Sequence, residues 1–128
     1  LKRVNILNKN NLYPSELSGG MQKRVAIARA ISLQPKYLFC DEPNSGLDPV
    51  TAIVIDELIK EITIEYNITT IVITHDMNSV LEIGDNILFI DSGTKKWEGN
   101  KKEILNVNVK ELHDFVYVSK FLQKIKKN

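Results

Sequence analysis

The 128-residue sequence lacks the features that mark secreted and membrane-spanning chains. Its one cysteine, Cys40, cannot form a disulfide within the chain and lies in an apolar run, so we expect a small buried hydrophobic side chain in a reducing compartment. No apolar run approaches the ~20 residues that a membrane-spanning helix needs. The opening Leu1-Lys2-Arg3 is not followed by the apolar block of a secretory signal. The formal net charge is only +1, so no overall field favours nucleic acid as a partner.

What the sequence does contain is typical of one globular domain or part of one. Hydrophobic residues make up 43% of the chain, which is enough for a core, and charged residues make up 26%. The lysines near the C-terminus read as a solvated helix end. Because the first residue is not Met, we expect the chain to be cut from a longer protein.

Residues 17–22, LSGGMQ, lie where a loop is predicted to become a helix over residues 21–33. Adjacent glycines at a helix start let a ligand approach the backbone, and Ser18 can cap the first turn or present its hydroxyl. The unpaired N–H groups and the helix dipole favour an anion there, so the pattern predicts a phosphate site. The alternative is an ordinary capped helix that follows a glycine turn.

Two apolar strands are predicted to deliver polar residues to one edge of a sheet. Residues 37–40 form a continuous apolar run that ends in Asp41 and Glu42, and a β-branched strand over 69–74 precedes His75. Such runs are typical of parallel strands covered on both faces. Ligands of open α/β sheets bind beyond the carboxyl ends of the strands, which favours a functional site here. Asp41 could instead merely cap the turn at Pro43.

The remaining pattern alternates strand and helix, which predicts an α/β fold with a parallel sheet. Asp48 is expected to cap a helix that starts at Pro49 and runs to about Tyr66. The later predicted elements are a short helix over 77–83, a hairpin of strands 86–91 and 94–98, a short helix from 100 or 101 to about 105, and a final helix over 109–127.

Four of these motifs, in this order and at near-family spacing, resemble ABC-type ATPases. Residues 17–22 resemble the signature motif, residues 37–41 followed by Glu42 the Walker B strand and catalytic glutamate, residues 45–48 the D-loop, and His75 the switch histidine. The resemblance covers roughly residues 14–105. It implies a P-loop NTPase-like (RecA-like) parallel sheet flanked by helices, and it divides the chain into a nucleotide-binding part over 1–108 and a C-terminal helical extension over 109–128.

One family motif is absent from the sequence. The Walker A loop needs a glycine, four further residues and then Gly-Lys-Ser/Thr, and none of the six glycines satisfies that pattern. We therefore expect the chain to be the C-terminal portion of a nucleotide-binding domain whose Walker A half is absent. In the family, a strand before Walker A lies between the strands that end here at His75 and at Asp91, so a gap between those sheet neighbours is expected.

The resemblance also implies a role for each motif residue. Asp41 would hold Mg²⁺, largely through water, Glu42 would polarise the attacking water, and His75 would contact the γ-phosphate of ATP. The remaining expected nucleotide-contacting residues act across a dimer interface on ATP held by the second subunit: Ser18, Gly19, Gly20, Gln22 and Asp48. Without a Walker A loop, the 128 residues alone are expected neither to bind ATP appreciably nor to hydrolyse it.

The implied function is that of the ATP-hydrolysing motor subunit of an ABC transporter. The residue pattern around LSGGMQKRV, residues 75–80 and residues 114–117 most resembles the ATPases of Mla/Mce-type phospholipid transporters in the bacterial envelope. Alternatives are an ABC-type ATPase of DNA repair or chromosome maintenance, and an inactive dimerisation module. The implied partners are a second ATPase subunit and a membrane permease, without nucleic acid. The implied location is the cytoplasmic face of the inner membrane, through the permease.

Overall fold

The computed structural model describes residues 1–107, 109–110, 112–113 and 115–116. The chain forms two compact units, Leu1–His75 and Asp76–Asn128. Its described helices and strands agree with the predicted alternation, and the α/β fold class is confirmed. The predicted boundary at residue 108 does not coincide with the division between these units and stays a prediction about domains.

The first unit contains two short 3₁₀ helices, two α-helices and two strands. Its elements are the 3₁₀ helices Lys2–Val4 and Pro14–Glu16, then α1 (Gly19–Ile31), β1 (Tyr37–Asp41), α2 (Pro49–Glu65) and β2 (Thr69–Ile73). Helix α1 packs against α2 and against the first 3₁₀ helix. Arg3 donates from its guanidinium to the carboxylates of Glu61 and Glu65 on α2, which ties the N-terminal segment to that helix.

Strands β1 and β2 pair in parallel, as predicted. The register runs from Tyr37 opposite Thr69 to Asp41 opposite Ile73, so the two strands end together. The backbone N–H of Glu42 continues the ladder by donating to the carbonyl of Ile73 at 2.9 Å. The residues that follow the two strands therefore meet at one edge of the sheet.

Only one face of this two-stranded sheet is buried, so the prediction that the strands are covered on both faces is wrong for this chain. Leu38 and Cys40 point to the core, whereas the alternating residues Tyr37 and Phe39 are exposed. Side chains alternate between the two faces of a strand, and the apolar side chains of the second face contact solvent here. On β2 the same face carries Ile71 and Ile73, which are also exposed.

Helix α1 begins two residues earlier than predicted, and its buried face overlaps the predicted one only in part. The i, i+4, i+7 pattern predicts a core face of Met21, Val25, Ala28 and Ala30 or Ile31; Ile31 is buried as predicted, Met21, Val25 and Ala28 are half-buried, and Gly20 and Ile27 are buried as well. The shift follows from a close approach at the start of the helix: a Cβ on Gly20 would lie 2.6 Å from Cγ2 of Thr51 on α2. Residues seven and eleven positions after Gly20 lie on the same face of a helix and are buried with it.

The second unit consists of α3 (Met77–Ile83), β3 (Ile87–Asp91), β4 (Thr94–Gly99) and a 3₁₀ helix, Ile104–Asn106. Strands β3 and β4 form the predicted hairpin, with Phe89 opposite Trp97. Among the described residues, β1–β2 and β3–β4 are two separate two-stranded sheets, and the expected gap within one larger sheet stays a prediction. The short helix expected over 100–105 is instead a turn followed by that 3₁₀ helix.

The core of the second unit is small and apolar. It comprises Met77, Ile104, Leu112 and Val116. The sequence predicts that Trp97 packs against its own hairpin, and the structure shows it packed against this cluster. Of the final helix predicted over 109–127, the described residues from Lys110 to Val116 are helical, and the segment from 117 onwards lies outside the described residues. Within the part of the chain that the structure describes, no helix is long and apolar enough to span a membrane.

Candidate functional site

The N-terminus of α1 is built as the sequence predicts. Ser18 is the N-cap: its Oγ accepts a hydrogen bond from the N–H of Met21 at 3.3 Å, while its carbonyl accepts from Gln22 N at 2.9 Å. Ser18 and Gly19 are exposed, and the helix dipole places partial positive charge at this point. The hydroxyl of Ser18 and the backbone of Gly19 at this helix start are therefore accessible to an anionic ligand.

Two residues of the same motif also make contacts within the protein. Gly20 is buried, and its missing Cβ allows α1 to approach Thr51 closely. Gln22 donates from its side-chain amide to the carbonyls of Pro14 and Leu17, at 3.0 and 3.1 Å. We conclude that Gln22 braces the loop that leads into the helix, so its expected contact with nucleotide would have to use the remaining amide oxygen or be indirect.

Glu42 and His75 meet at the sheet edge. The Nδ1 atom of His75 lies 2.8 Å from Oε1 of Glu42, a hydrogen-bonding distance. The His75 side chain is 79% exposed and that of Glu42 is 34% exposed, so the pair can reach a ligand from outside. The parallel register accounts for this contact, because each residue follows the end of its own strand. The prediction that both residues converge on one point is confirmed.

The backbone of Glu42 has an unusual conformation. Its φ angle is +45°, in the left-handed region that a side chain other than glycine's seldom adopts and that costs about 1–3 kcal/mol. Three hydrogen bonds hold it: Glu42 N donates to Ile73 O, and Glu42 O accepts from Ser45 N and from Nζ of Lys23, both at 3.1 Å. The residue in this strained conformation is the one whose carboxylate contacts His75.

Asp41 ends β1 and is exposed. Its carboxylate forms no hydrogen bond or ion pair among the described residues, so the alternative that it caps the turn at Pro43 is not supported. No group of three or more His, Cys, Asp or Glu side chains in the described part could hold a metal ion. One accessible carboxylate nevertheless fits Mg²⁺, which usually takes one or two protein carboxylates together with waters and phosphate oxygens.

Asp48 is the N-cap of α2. Its Oδ1 accepts from the N–H groups of Val50 and Thr51, at 3.1 and 3.0 Å, and its Oδ2 accepts from the Thr51 hydroxyl at 2.5 Å. The Thr51 hydroxyl and these backbone N–H groups stabilise the ionised form and hold the pKa of Asp48 below its ordinary value. The predicted cap is confirmed, and the carboxylate remains on the surface.

Sequence reasoning missed two contacts that shape this edge. As a charged position of a predicted helix, Lys23 is expected on the helix surface, yet its ammonium donates to the carbonyl of Glu42. Asp56, buried at 3% exposure, accepts from the side-chain amide of Asn44 at 2.8 Å and so anchors the turn between β1 and α2. An acidic residue within the apolar stripe of a predicted helix is the signal that could have revealed Asp56.

Comparison with protein families agrees with these motifs. The family model described as "ABC transporter" matches residues 1–45. The glutamine transport ATP-binding protein GlnQ of Geobacillus stearothermophilus is 42% identical over 122 residues, which cover 95% of this chain and 50% of that protein. The methionine import ATP-binding protein MetN of Carboxydothermus hydrogenoformans is 48% identical over 99 residues, 77% of this chain and 29% of that protein. The chain thus spans about half the length of GlnQ and less of MetN.

Solved structures of ATP-binding cassettes from ABC transporters are similar to this chain as well. The ATP-binding cassette MJ0796, solved as a dimer in a post-hydrolysis state with ADP and Pi, matches with a TM-score of 0.68 at 35% identity, over 78% of this chain and 43% of that one. The cassette MJ1267 matches with a TM-score of 0.78 at 31% identity, over 88% and 46%. By sequence and by fold, the chain is therefore similar to part of the ATP-binding proteins of ABC transporters.

Proposed function

We propose that this sequence forms the catalytic edge of a motor subunit that binds and hydrolyses ATP between two copies and drives an ABC transporter. The observation that carries the proposal is the Glu42–His75 pair at the carboxyl end of two parallel strands. The relatives contribute the class of function, because GlnQ and MetN are named as transport ATP-binding proteins. These names favour transport over the alternatives of DNA maintenance and of an inactive dimerisation module.

Phosphoryl transfer to water requires a positioned nucleophile and stabilisation of the charge on the transferred group. Glu42 would accept a proton from the attacking water, as a general base. His75 lies against the Glu42 carboxylate and is largely exposed, so in its doubly protonated form it can donate through Nδ1 to that carboxylate and through Nε2 to a γ-phosphate oxygen. Hydrolysis would remove the phosphate contact of His75 and thereby signal the state of the nucleotide.

Asp41 would hold Mg²⁺, which supplies charge neutralisation for the phosphates when it is bound. The exposed carboxylate at the end of β1, next to Glu42, suits a cation held mainly through water. No other described residue is required as a protein ligand in this proposal, since phosphate oxygens and waters complete the coordination of such ions.

The start of α1 would bind the γ-phosphate of ATP on the second copy. Ser18 offers a hydroxyl, and Gly19 and Gly20 offer backbone N–H groups at the positive end of the helix dipole. Gln22 would support this surface through the loop that it braces, and Asp48 would face the same interface. ATP would then join two subunits, and its hydrolysis would release them. A permease would take up this motion, at the cytoplasmic face of the membrane.

The proposed cargo is an amino acid, because GlnQ and MetN are named for glutamine transport and methionine import. The phospholipid cargo of the sequence prediction rests on local resemblance alone and is the second candidate. Deletion of the gene separates the two. Loss of uptake of radiolabelled glutamine or methionine would support the first, and altered exchange of phospholipid between membranes with normal amino acid uptake would support the second.

The decisive test of the catalytic proposal is Glu42→Gln in the full-length protein that contains this sequence. Loss of the general base should lower ATP turnover at least about 100-fold while ATP binding persists, and ATP-bound dimers should accumulate in size-exclusion chromatography. Glu57→Gln is the matched control, because Glu57 is exposed on α2 away from the strand ends. Unchanged turnover in Glu42→Gln would refute the assignment of the base.

A further inference from the structure

Lys23 is a charged side chain for which the catalytic scheme has no role. It lies in the second turn of α1, is partly buried, and donates from Nζ to the backbone carbonyl of Glu42 at 3.1 Å. The two residues are 19 positions apart in the sequence and belong to different elements. A lysine on a solvated helix face would extend its ammonium into water, so this placement calls for a reason.

The contact acts on the backbone of Glu42 and not on its carboxylate. Among the described residues, the ion pair of the Glu42 carboxylate is with His75, and no salt bridge joins it to Lys23. The ammonium therefore does not serve as the charge partner of the general base. Instead it adds a charge-assisted hydrogen bond to a carbonyl that already accepts from Ser45 N.

The backbone at Glu42 needs such support, because its φ of +45° is disfavoured for a residue with a side chain. A strained backbone conformation persists only where several surrounding contacts fix it. The N–H of Glu42 is held by Ile73 on β2, and its carbonyl is held by the following turn and by α1. Of these three hydrogen bonds, the one from Lys23 is made by a side chain, so a substitution can remove it without altering the backbone.

We propose that Lys23 is a positioning residue for the proposed ATPase reaction: its ammonium fixes the left-handed turn at Glu42 and so directs the carboxylate of the base towards its hydrogen bond with His75. The inference rests on the proposed function of Glu42. It implies that the helix which would bind phosphate on the second copy also holds the base of its own subunit. Lys23 lies one turn after Gly19 on that helix.

The test compares four variants of the full-length protein in steady-state ATP hydrolysis: Lys23→Met, Lys23→Arg, Lys60→Met and Glu42→Gln. Methionine keeps the unbranched stem and removes the donor, whereas arginine keeps a cationic donor. We expect Lys23→Met to lower kcat about tenfold with KM for ATP unchanged, as expected for a lost charge-assisted hydrogen bond. Lys23→Arg should recover most of kcat. Lys60→Met, at an exposed position of α2, should match the wild type.

Hydrogen exchange provides a reading that does not depend on turnover. In Lys23→Met the amides of Glu42, Asn44 and Ser45 should exchange about tenfold faster than in the wild type, because one of the hydrogen bonds that stabilise the turn is lost. Wild-type kcat and exchange in Lys23→Met would overturn the proposal, and so would a parallel loss in kcat and thermal stability with no rescue by arginine. If Glu42→Gln retains turnover, the proposed function fails instead, while the exchange result still decides whether Lys23 holds the turn.

Discussion

At the scale of single residues, side chains of the motif region combine structural and chemical tasks. Asp48 caps α2 through two backbone N–H groups and the Thr51 hydroxyl, and its carboxylate stays at the surface. Gln22 braces a loop, and Glu42 occupies a strained backbone conformation. Strain and bracing around a candidate catalytic group are typical of a site whose geometry is set before the ligand arrives.

Asp48 makes the stability of the chain depend on pH. The Thr51 hydroxyl and the backbone N–H groups keep the native pKa of Asp48 below its ordinary value of 3.8, so the ionised cap stabilises the fold fully above that value and loses this effect as the pH falls through the native pKa. Asp48→Asn keeps a cap that does not titrate. We expect the difference in urea midpoint between wild type and Asp48→Asn in the full chain to be constant from about pH 7 to about pH 5 and to shift towards the variant near about pH 2.

If the difference in urea midpoint stayed constant from about pH 7 down to about pH 2, the role of the ionised carboxylate would be contradicted. Asp41→Asn serves as the comparison, because Asp41 is exposed and has no hydrogen-bonding partner among the described residues. Its urea midpoint should follow that of the wild type at each pH.

At the scale of elements, the approach of α1 to α2 determines which face of α1 is buried. The closest point is Gly20, where an added Cβ would stand 2.6 Å from Cγ2 of Thr51. A contact of that length cannot persist, so one helix would have to shift. At Gly19 the nearest atom, Cδ2 of Leu47, would be 3.3 Å away and belongs to a flexible side chain. The two glycines are adjacent in sequence and differ in function. Gly20 allows α1 and α2 to pack closely, whereas Gly19 leaves the start of the helix open.

Gly20→Ala should therefore destabilise the protein by about 1–3 kcal/mol through overpacking, as measured by urea unfolding of the full chain. The double variant Gly20→Ala/Thr51→Ser removes Cγ2, keeps the hydroxyl bonded to Asp48, and should recover most of this loss. Gly19→Ala is the matched control and should cost less than Gly20→Ala. An equal loss in both alanine variants, or no recovery in the double variant, would show that the Thr51 contact is not the cause.

At the scale of the whole molecule, the chain carries the proposed catalytic residues without a phosphate-binding loop of the Walker A type. The sequence contains no Walker A pattern, and the similar proteins GlnQ and MetN are longer than this chain. The backbone cradle and lysine of such a loop hold the β- and γ-phosphates in P-loop ATPases. A helix start, one carboxylate and a histidine are too few contacts to hold ATP alone.

We therefore expect titration calorimetry to detect no binding of MgATP to the 128-residue chain at micromolar concentrations, about 10⁻⁶ M on the usual affinity scale. Circular dichroism of the same sample must show the helical content of the fold for the result to count. GlnQ of Geobacillus stearothermophilus, a longer protein that is named as ATP-binding, is the positive control. Micromolar binding to the 128 residues would mean that the β- and γ-phosphates have another cradle in this chain.

The elements that the sequence predicted well are those whose signals are local. Asp48 and Pro49 mark the start of α2, and an unbroken β-branched run marks β2. The burial of these elements was predicted less well. The exposed face with Tyr37 and Phe39, and the buried stripe that starts at Gly20, depend on what lies opposite each element, which an apolar pattern does not specify.

The sequence alone determined the alternation of strands and helices, the cap residues, and the chemical types that lie at the strand ends, because capping, turn formation and periodicity act over a few neighbouring residues. Only the tertiary structure decided that Glu42 and His75 lie 2.8 Å apart and that Lys23 reaches the carbonyl of Glu42. These contacts join residues 33 and 19 positions apart. They arise from strand register and helix packing, which the whole fold sets and no local signal encodes.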